Sequence, residues 1–332
     1  MNDVSSYLGY WIKRFLLEYI MSIKNLSKNT QISYRDTFRL MLPCISKLIK
    51  KKMEELLVED ITPDSVIFFL SDLEKERKCS ITTRNQRLAA IYALSKFIGL
   101  KCPEYVDWCR QIHTVPTKKT PRTIITYLEK EEMDALLAAP DHKTLKGKRD
   151  YAILLFLYNT GARAAEVANL KIDDLALEKH LVCLHGKGNK QRRCPLWKST
   201  VKELQNIIKG RDGMENVFLN RFCEPITRFG IYTMVEKYTN EVAEKMPAIK
   251  EKRVSPHMIR HTTATHLLQS GVDINTIRAW LGHVSVNTTN IYAEVNLKMK
   301  SDALSCCEIK SSKKKDTHWR DDKDLMSFLD SL

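Results

Sequence analysis

The chain runs to 332 residues, enough for two domains of the usual size of roughly 100–200 residues. Its 54 Lys and Arg against 40 Asp and Glu leave a net charge of +14, and 43% hydrophobic residues can fill real cores, which excludes wholesale disorder. No run of about 18 uncharged apolar residues occurs, so no transmembrane helix and no membrane partner is expected.

The first residues alternate apolar side chains with Lys13, Arg14 and Glu18 and lack the apolar stretch and cleavage site of a signal peptide. A cytoplasmic chain is expected, and there a basic surface points to nucleic acid. The nine cysteines agree with that compartment. Their odd count, with no pair at zinc-knuckle spacing, reads as reduced thiols without a metal.

Residues 1–120 carry 20 basic and 13 acidic groups, residues 121–300 carry 28 and 20, and residues 301–332 carry 6 and 7, so both large parts are basic and the tail is not. In the first part, apolar residues at three- and four-residue spacing predict helices around 7–23, 30–50, 64–77 and 81–98. Ser27 or Thr30 and the Thr62–Pro63 pair supply helix starts, and Gly99 and Pro103 end the fourth helix. Residues 113–123 are polar, basic and hold two prolines, which suggests an extended linker.

The second part opens with an acidic-start helix at Tyr127, followed by an apolar helix from Arg149 to Thr160 that Gly161 stops. Strand-like pieces at 181–186 and 191–196, joined through Lys187-Gly188-Asn189-Lys190, make a β-hairpin. Helices return from Val201. Ser255-Pro256 starts one that Gly271 closes, and another runs from about Asn275 to Leu281 and is ended by Gly282. At the end, Leu325, Met326, Phe328, Leu329 and Leu332 fall on one helical face with aspartates opposite. So short a helix is not stable alone and should dock, on its own domain or on a neighbour.

Several residues carry chemistry. Arg163 follows Gly161 near a helix start, where an anion is welcome, and Glu166 lies one turn on, able to orient a cation. Alone, such a pair is commonplace surface charge. Lys187 sits between glycines at the hairpin tip, among Lys190, Arg192 and Arg193, either as a solvated turn or as a finger against a phosphate backbone. His257 and Arg260 share a face in the first turn of their helix, and His283 follows Gly282. Tyr292 alone reads as a packed aromatic.

Together the set is stronger than its parts. Two arginines, a lysine, two histidines and a tyrosine are what metal-free DNA strand transfer needs. Arg163 and Arg260 can clamp the non-bridging oxygens of a phosphodiester with planar forks. Tyr292, with a hydroxyl pKa near 10, needs a base or cations around it to attack. His257 can take or relay its proton, Lys187 can protonate the leaving alkoxide, and His283 can bond a non-bridging oxygen.

In order and spacing, Gly-Ala-Arg163 with Glu166, Lys187 in a basic hairpin, His257-x-x-Arg260, Leu-Gly-His283 and Tyr292 resemble the tyrosine recombinase (phage integrase) family of XerC/XerD-like site-specific recombinases. The resemblance implies a mainly α protein with a small antiparallel β-sheet. A helical, SAM-like core-binding domain would occupy 1–112, a linker 113–123, and a mixed α/β catalytic domain 124–300. The tail, 301–332, would carry the amphipathic helix. It further implies a site-specific recombinase of integrase or transposase type, and the roughly 30 residues past the tyrosine motif favour a mobile-element recombinase over a chromosome-dimer resolvase. Tyr292 would form a covalent link to the DNA 3′ end without ATP, metal or cofactor. Four protomers would assemble on duplex DNA, closing as clamps, with the tail passed in trans. Two other readings stand beside it: a type IB-like topoisomerase, and a catalytically silent DNA-binding protein that the charge alone supports.

Overall fold

The computed structural model describes residues 4–120, 126–186, 190–282 and 323–331. Lys187, His283 and Tyr292 fall outside them. The chain divides into two units, Met1–Thr123 and Ile124–Leu332.

The first unit is all helix. Helix α1 (Leu8–Arg14) continues as wider π-helical turns over Phe15–Ile23. Helix α2 (Lys28–Ile49) starts where the Ser27 hydroxyl accepts the Thr30 N–H, and α3 (Pro63–Lys75) starts where Thr62 and Ser65 exchange backbone and side-chain bonds. Helix α4 (Ile81–Lys101) and α5 (Val106–Ile112) complete the unit. Its core centres on Phe15, which meets Tyr34, Phe38 and Phe97.

Two expectations change here. Helix α4 does not stop at Gly99 but runs on to Lys101. The bare Cα lets α5 come close, because a Cβ there would stand 3.2 Å from the Cys109 Cβ. The residues after α5 are also no free spacer at their start. Val115 is buried in the core, His113 stacks on Tyr92, and Arg84 donates to the Pro116 carbonyl at 2.8 Å. Asn85 exchanges bonds with the Lys118 backbone, and the Lys118 ammonium reaches Glu74 at 2.6 Å.

The second unit is mixed. It opens with α6 (Lys130–Ala138), α7 (Leu145–Thr160) and the short α8 (Ala164–Ala168). An antiparallel sheet follows in the order β1 (Leu175–Ala176), β2 (Leu181–His185), β3 (Gln191–Pro195). Then come α9 (Lys198–Ile208), α10 (Arg228–Ala243), α11 (Pro247–Lys250), α12 (Pro256–Gln269) and α13 (Ile274–Leu281). A mainly α fold with a small antiparallel sheet is what the sequence pattern predicts.

Helix α7 is the axis of this unit, with Ile153, Leu154, Phe156 and Leu157 all inaccessible to solvent. Helix α12 packs along it, where the Thr263 hydroxyl donates to the Tyr158 carbonyl at 2.8 Å. Asn159 joins α7 to the end of β3, accepting from the Trp197 N–H and donating to the Pro195 carbonyl. Buried Asp150 is held by Arg149 and the Tyr238 hydroxyl, so its charge is paired rather than stranded. Among the described residues no helix is long and apolar enough to cross a membrane. The tail forms a helix at Lys323–Asp330, and Phe328 and Leu329 are exposed on it.

Candidate active site

Three chain breaks in regular structure bring the site together. Helix α7 ends on Gly161 in the left-handed region at φ 59°, and Arg163 follows before α8 begins. Helix α12 begins at Ser255, whose hydroxyl accepts the Met258 N–H, with Pro256 at its first position. Helix α13 ends on Gly282 at φ 66°. Each stop and start is written in the residue type that the backbone there demands.

Arg163, His257 and Arg260 line one cavity of about 400 Å³, together with Arg228, Phe229 and Tyr232 of α10. Of the four sequence-predicted site residues within the described part, these three converge on the cavity and Glu166 does not line it. Arg260 is the deeper of the two arginines. Its side chain is buried, and it donates to the Gly161 and Leu281 carbonyls, both at 2.6 Å. Those bonds pin the end of α7 to the end of α13. Arg163 remains 42% exposed at its side chain, so part of its fork faces the cavity. Helix α8 has only five residues and its dipole is slight, so anion attraction here rests on the guanidinium groups and on the N-terminus of the 14-residue α12, whose Pro256 and His257 line the cavity.

Glu166 does not line the cavity. It lies behind Arg163, its side chain 4% exposed, and its carboxylate accepts the Arg163 N–H at 2.9 Å and the Arg163 guanidinium at 2.8 Å. Burial pushes its carboxyl up. The Arg192 fork and then Arg163 outweigh that and hold it below the usual carboxylate range.

His257 opens onto the cavity, with the His261 ring 4.3 Å behind it. Desolvation, then the charges of Arg260 and Arg163, push the His257 pKa down from 6.5. Burial, with His257 and Arg260 nearby, takes His261 down to about 4. The shift favours the neutral His257 ring, the form able to accept a proton. Among the described residues no cluster of three or more His, Cys, Asp or Glu side chains could hold a metal ion.

Two things escaped the sequence reading. Arg228, Phe229 and Tyr232 join the wall only through the fold, since nothing in their spacing ties them to Arg163. Arg192 was readable. Residues 192 and 194 share one face of β3, and Cys194 is a natural core residue, so strand alternation turns Arg192 inward. In the sheet Arg192 stands opposite Leu184 and Cys194 opposite Val182, both buried. Arg193, on the other face, is exposed. The basic finger is thus shorter by one cation than its sequence suggests.

Comparison with known proteins gives this geometry a lineage. Residues 126–299 match the phage integrase family, and residues 12–99 match the phage integrase N-terminal SAM-like domain. The chain is 38% identical over 327 residues to y4rC of Sinorhizobium fredii, spanning 97% of both. It is 30% identical to the tyrosine recombinase XerC of Chlamydia caviae, covering 86% of this chain and 94% of that one. Its fold is similar to that of the XerH site-specific recombinase bound to difH substrate, with TM-score 0.65, 21% identity, and coverage of 93% of this chain and 98% of that one. It is also similar to the Tn1549 transposon integrase bound to a circular intermediate DNA, with TM-score 0.66, 18% identity, and 91% and 99% covered. A helical first unit, a small-sheet second unit, and two arginines and a histidine around one cavity accompany matches across both units: the chain belongs to the phage integrase, or tyrosine recombinase, family.

Proposed function

We propose that this protein is a site-specific DNA recombinase that cuts and rejoins duplex DNA through a 3′-phosphotyrosyl intermediate on Tyr292. The observation that carries the reading is the convergence of Arg163, Arg260 and His257 on one cavity. The XerH and Tn1549 proteins are described bound to DNA, which supports duplex DNA as the partner.

In this mechanism the Tyr292 oxygen attacks the scissile phosphorus as His257 receives the phenolic proton. The bond from phosphorus to the 5′ oxygen breaks, and Lys187 protonates the leaving alkoxide. Arg163 and Arg260, with His283, neutralise the charge that gathers on the non-bridging oxygens, each donor worth about 3 kcal/mol. A 5′ hydroxyl from a partner duplex then attacks the tyrosyl ester, reversing the proton transfers. The ester conserves the phosphodiester bond energy, so neither ATP nor a metal is required. Four protomers act together on two sites, the tail helix docking on the adjacent protomer, in the cytoplasm and on behalf of a mobile element. The units 1–112 and 124–300 would be the core-binding and catalytic domains.

The test begins by selecting bound duplexes from a random pool and rebuilding them as nicked suicide substrates. A covalent adduct that vanishes in Tyr292→Phe is expected. No adduct from the wild-type chain would leave a silent DNA-binding protein. On a supercoiled plasmid that carries two such sites, relaxed circles without exchanged products would leave a topoisomerase.

A further inference from the structure

On sequence Arg192 is one more cation of a basic hairpin. In the fold it is the hub of three segments. Its side chain is 9% exposed, on the inward face of β3. The two ends of its fork donate to the two oxygens of Glu166, at 3.0 and 2.7 Å, and its Nε donates to the Trp280 carbonyl at 2.9 Å. Its stem also packs under the turn after α13. A Cβ on Gly282 would come within 3.0 Å of the Arg192 Cδ. The base of the hairpin passes close by, where Gly186 donates to the Lys190 carbonyl at 2.7 Å and a Cβ on Gly186 would lie 3.5 Å from a Glu166 oxygen.

The charges matter as much as the bonds. Arg163 and Glu166 alone sum to zero, which would blunt Arg163 as a phosphate ligand. With Arg192 the trio sums to +1. A bidentate Arg–carboxylate pair is also among the stiffest polar contacts available, so Glu166 becomes a fixed rest for Arg163.

We propose that Arg192 is a positioning residue for phosphodiester cleavage: it neutralises Glu166, leaving Arg163 a net charge for the phosphate, and it sets the turn that His283 follows. The proposal rests on the recombinase reading above. It acts through Glu166 and the Trp280–Gly282 turn and does not touch DNA itself.

The test uses the full chain and the nicked suicide duplex that the wild type cleaves, reading single-turnover adduct formation for Arg192→Gln, Arg192→Lys and the double variant Arg192→Gln/Glu166→Gln. Absence of a wild-type adduct would count against the recombinase reading, whereas its presence leaves Arg192 as the only question. Arg192→Gln should slow adduct formation about 100-fold, the scale of a misplaced catalytic group. Its DNA affinity and the salt dependence of that affinity should stay those of the wild type. The double variant, having no carboxylate to neutralise, should regain at least about tenfold over Arg192→Gln.

The deficit of Arg192→Gln relative to wild type should also narrow from pH 8 to pH 6. Without Arg192, Glu166 takes up a proton more readily and ceases to cancel Arg163. Among the described residues, the charged or titratable groups around Glu166 are Arg163 on its own turn and Arg192 and Cys194 on β3. His257 titrates in both proteins and drops out of the ratio. Equal, pH-independent losses in the single and double variants would reduce Arg192 to a structural pair and overturn the proposal. So would a shallower salt dependence, which would make Arg192 a phosphate contact, or near-normal cleavage by Arg192→Gln. If Arg192→Gln does not fold, Arg192→Lys decides. It keeps the charge but not the fork, so it should cleave below wild type with unchanged DNA affinity and with a deficit that does not narrow from pH 8 to pH 6, and cleavage at the wild-type rate or a shallower salt dependence overturns the proposal.

Discussion

The Arg260 guanidinium donates to the carbonyl of Gly161 at 2.6 Å, across 99 residues of sequence. One side chain thereby fixes the segment that presents Arg163, while its other bond fixes the end of α13. Gly161 is indispensable to this on two counts. Its φ of 59° disfavours a side chain, and a Cβ would meet Leu281 Cδ2 at 2.6 Å. Gly161→Ala should cost about 2 kcal/mol or more, lowering Tm by several degrees. It should also depress cleavage by shifting Arg163. Thermal unfolding alongside adduct formation checks both, and an unchanged Tm would contradict the strain.

The two arginines should separate in stability though not in chemistry. Each alanine variant should lose about 10²–10³ in cleavage while holding most DNA affinity. Arg260→Ala also orphans two buried carbonyls, at roughly 1–3 kcal/mol each. Arg163→Ala leaves Glu166 with its Arg192 partner and should melt close to wild type. Cleavage by either variant at the wild-type rate would remove it from the assigned role.

Cleavage should respond to pH through His257. In the proposed mechanism the neutral ring accepts the proton, and burial with Arg260 and Arg163 lowers its pKa below 6.5, so the rate should be level through neutrality and fall in mild acid. Stability carries a related signature through His261. Its pKa drops to about 4 on folding, so the unfolded chain binds the proton more readily. Stability should therefore be level above about pH 6.5 and decline as the pH falls toward 4. Denaturation midpoints across that range measure it, and a His261→Gln chain should lose much of the slope.

Removing 321–332 should leave binding to a single site intact and impair synapsis and strand exchange, because Phe328 and Leu329 are exposed on the tail helix. Gel-shift and recombination assays on paired sites distinguish the two steps. Normal exchange by the truncated chain would rule out the trans-docking role.

DNA affinity should fall steeply with salt, since Lys and Arg contacts release counterions from the duplex. A log–log plot of affinity against salt gives the number of such contacts. A flat plot would deny the basic surface its expected use.

Much of this molecule is legible in its residues. Ser27, Thr62 and Ser255 mark helix starts, and Gly161 and Gly282 mark stops, because each is a local matter of one side chain or one φ. His257 and Arg260 follow from helical spacing. What stayed hidden depends on contacts distant in sequence. Strand β1 is two residues long and exists only because β2 offers it an edge. Gly99 looks like a terminator until Cys109 is placed against it. Arg192 looks like a surface cation because composition speaks of charge and is silent about facing, although strand alternation held the answer.

The anchoring of Val115, Pro116 and Lys118 redraws the outline of the first unit as something that can be cut from the rest. A fragment ended at Ile112, where the last helix stops, would uncap Arg84 and Asn85 and bare the hydrophobic seat of Val115. One carried on past Lys118 would keep its own clasp. The first six residues of the expected spacer, 113–118, are the latch of the first unit.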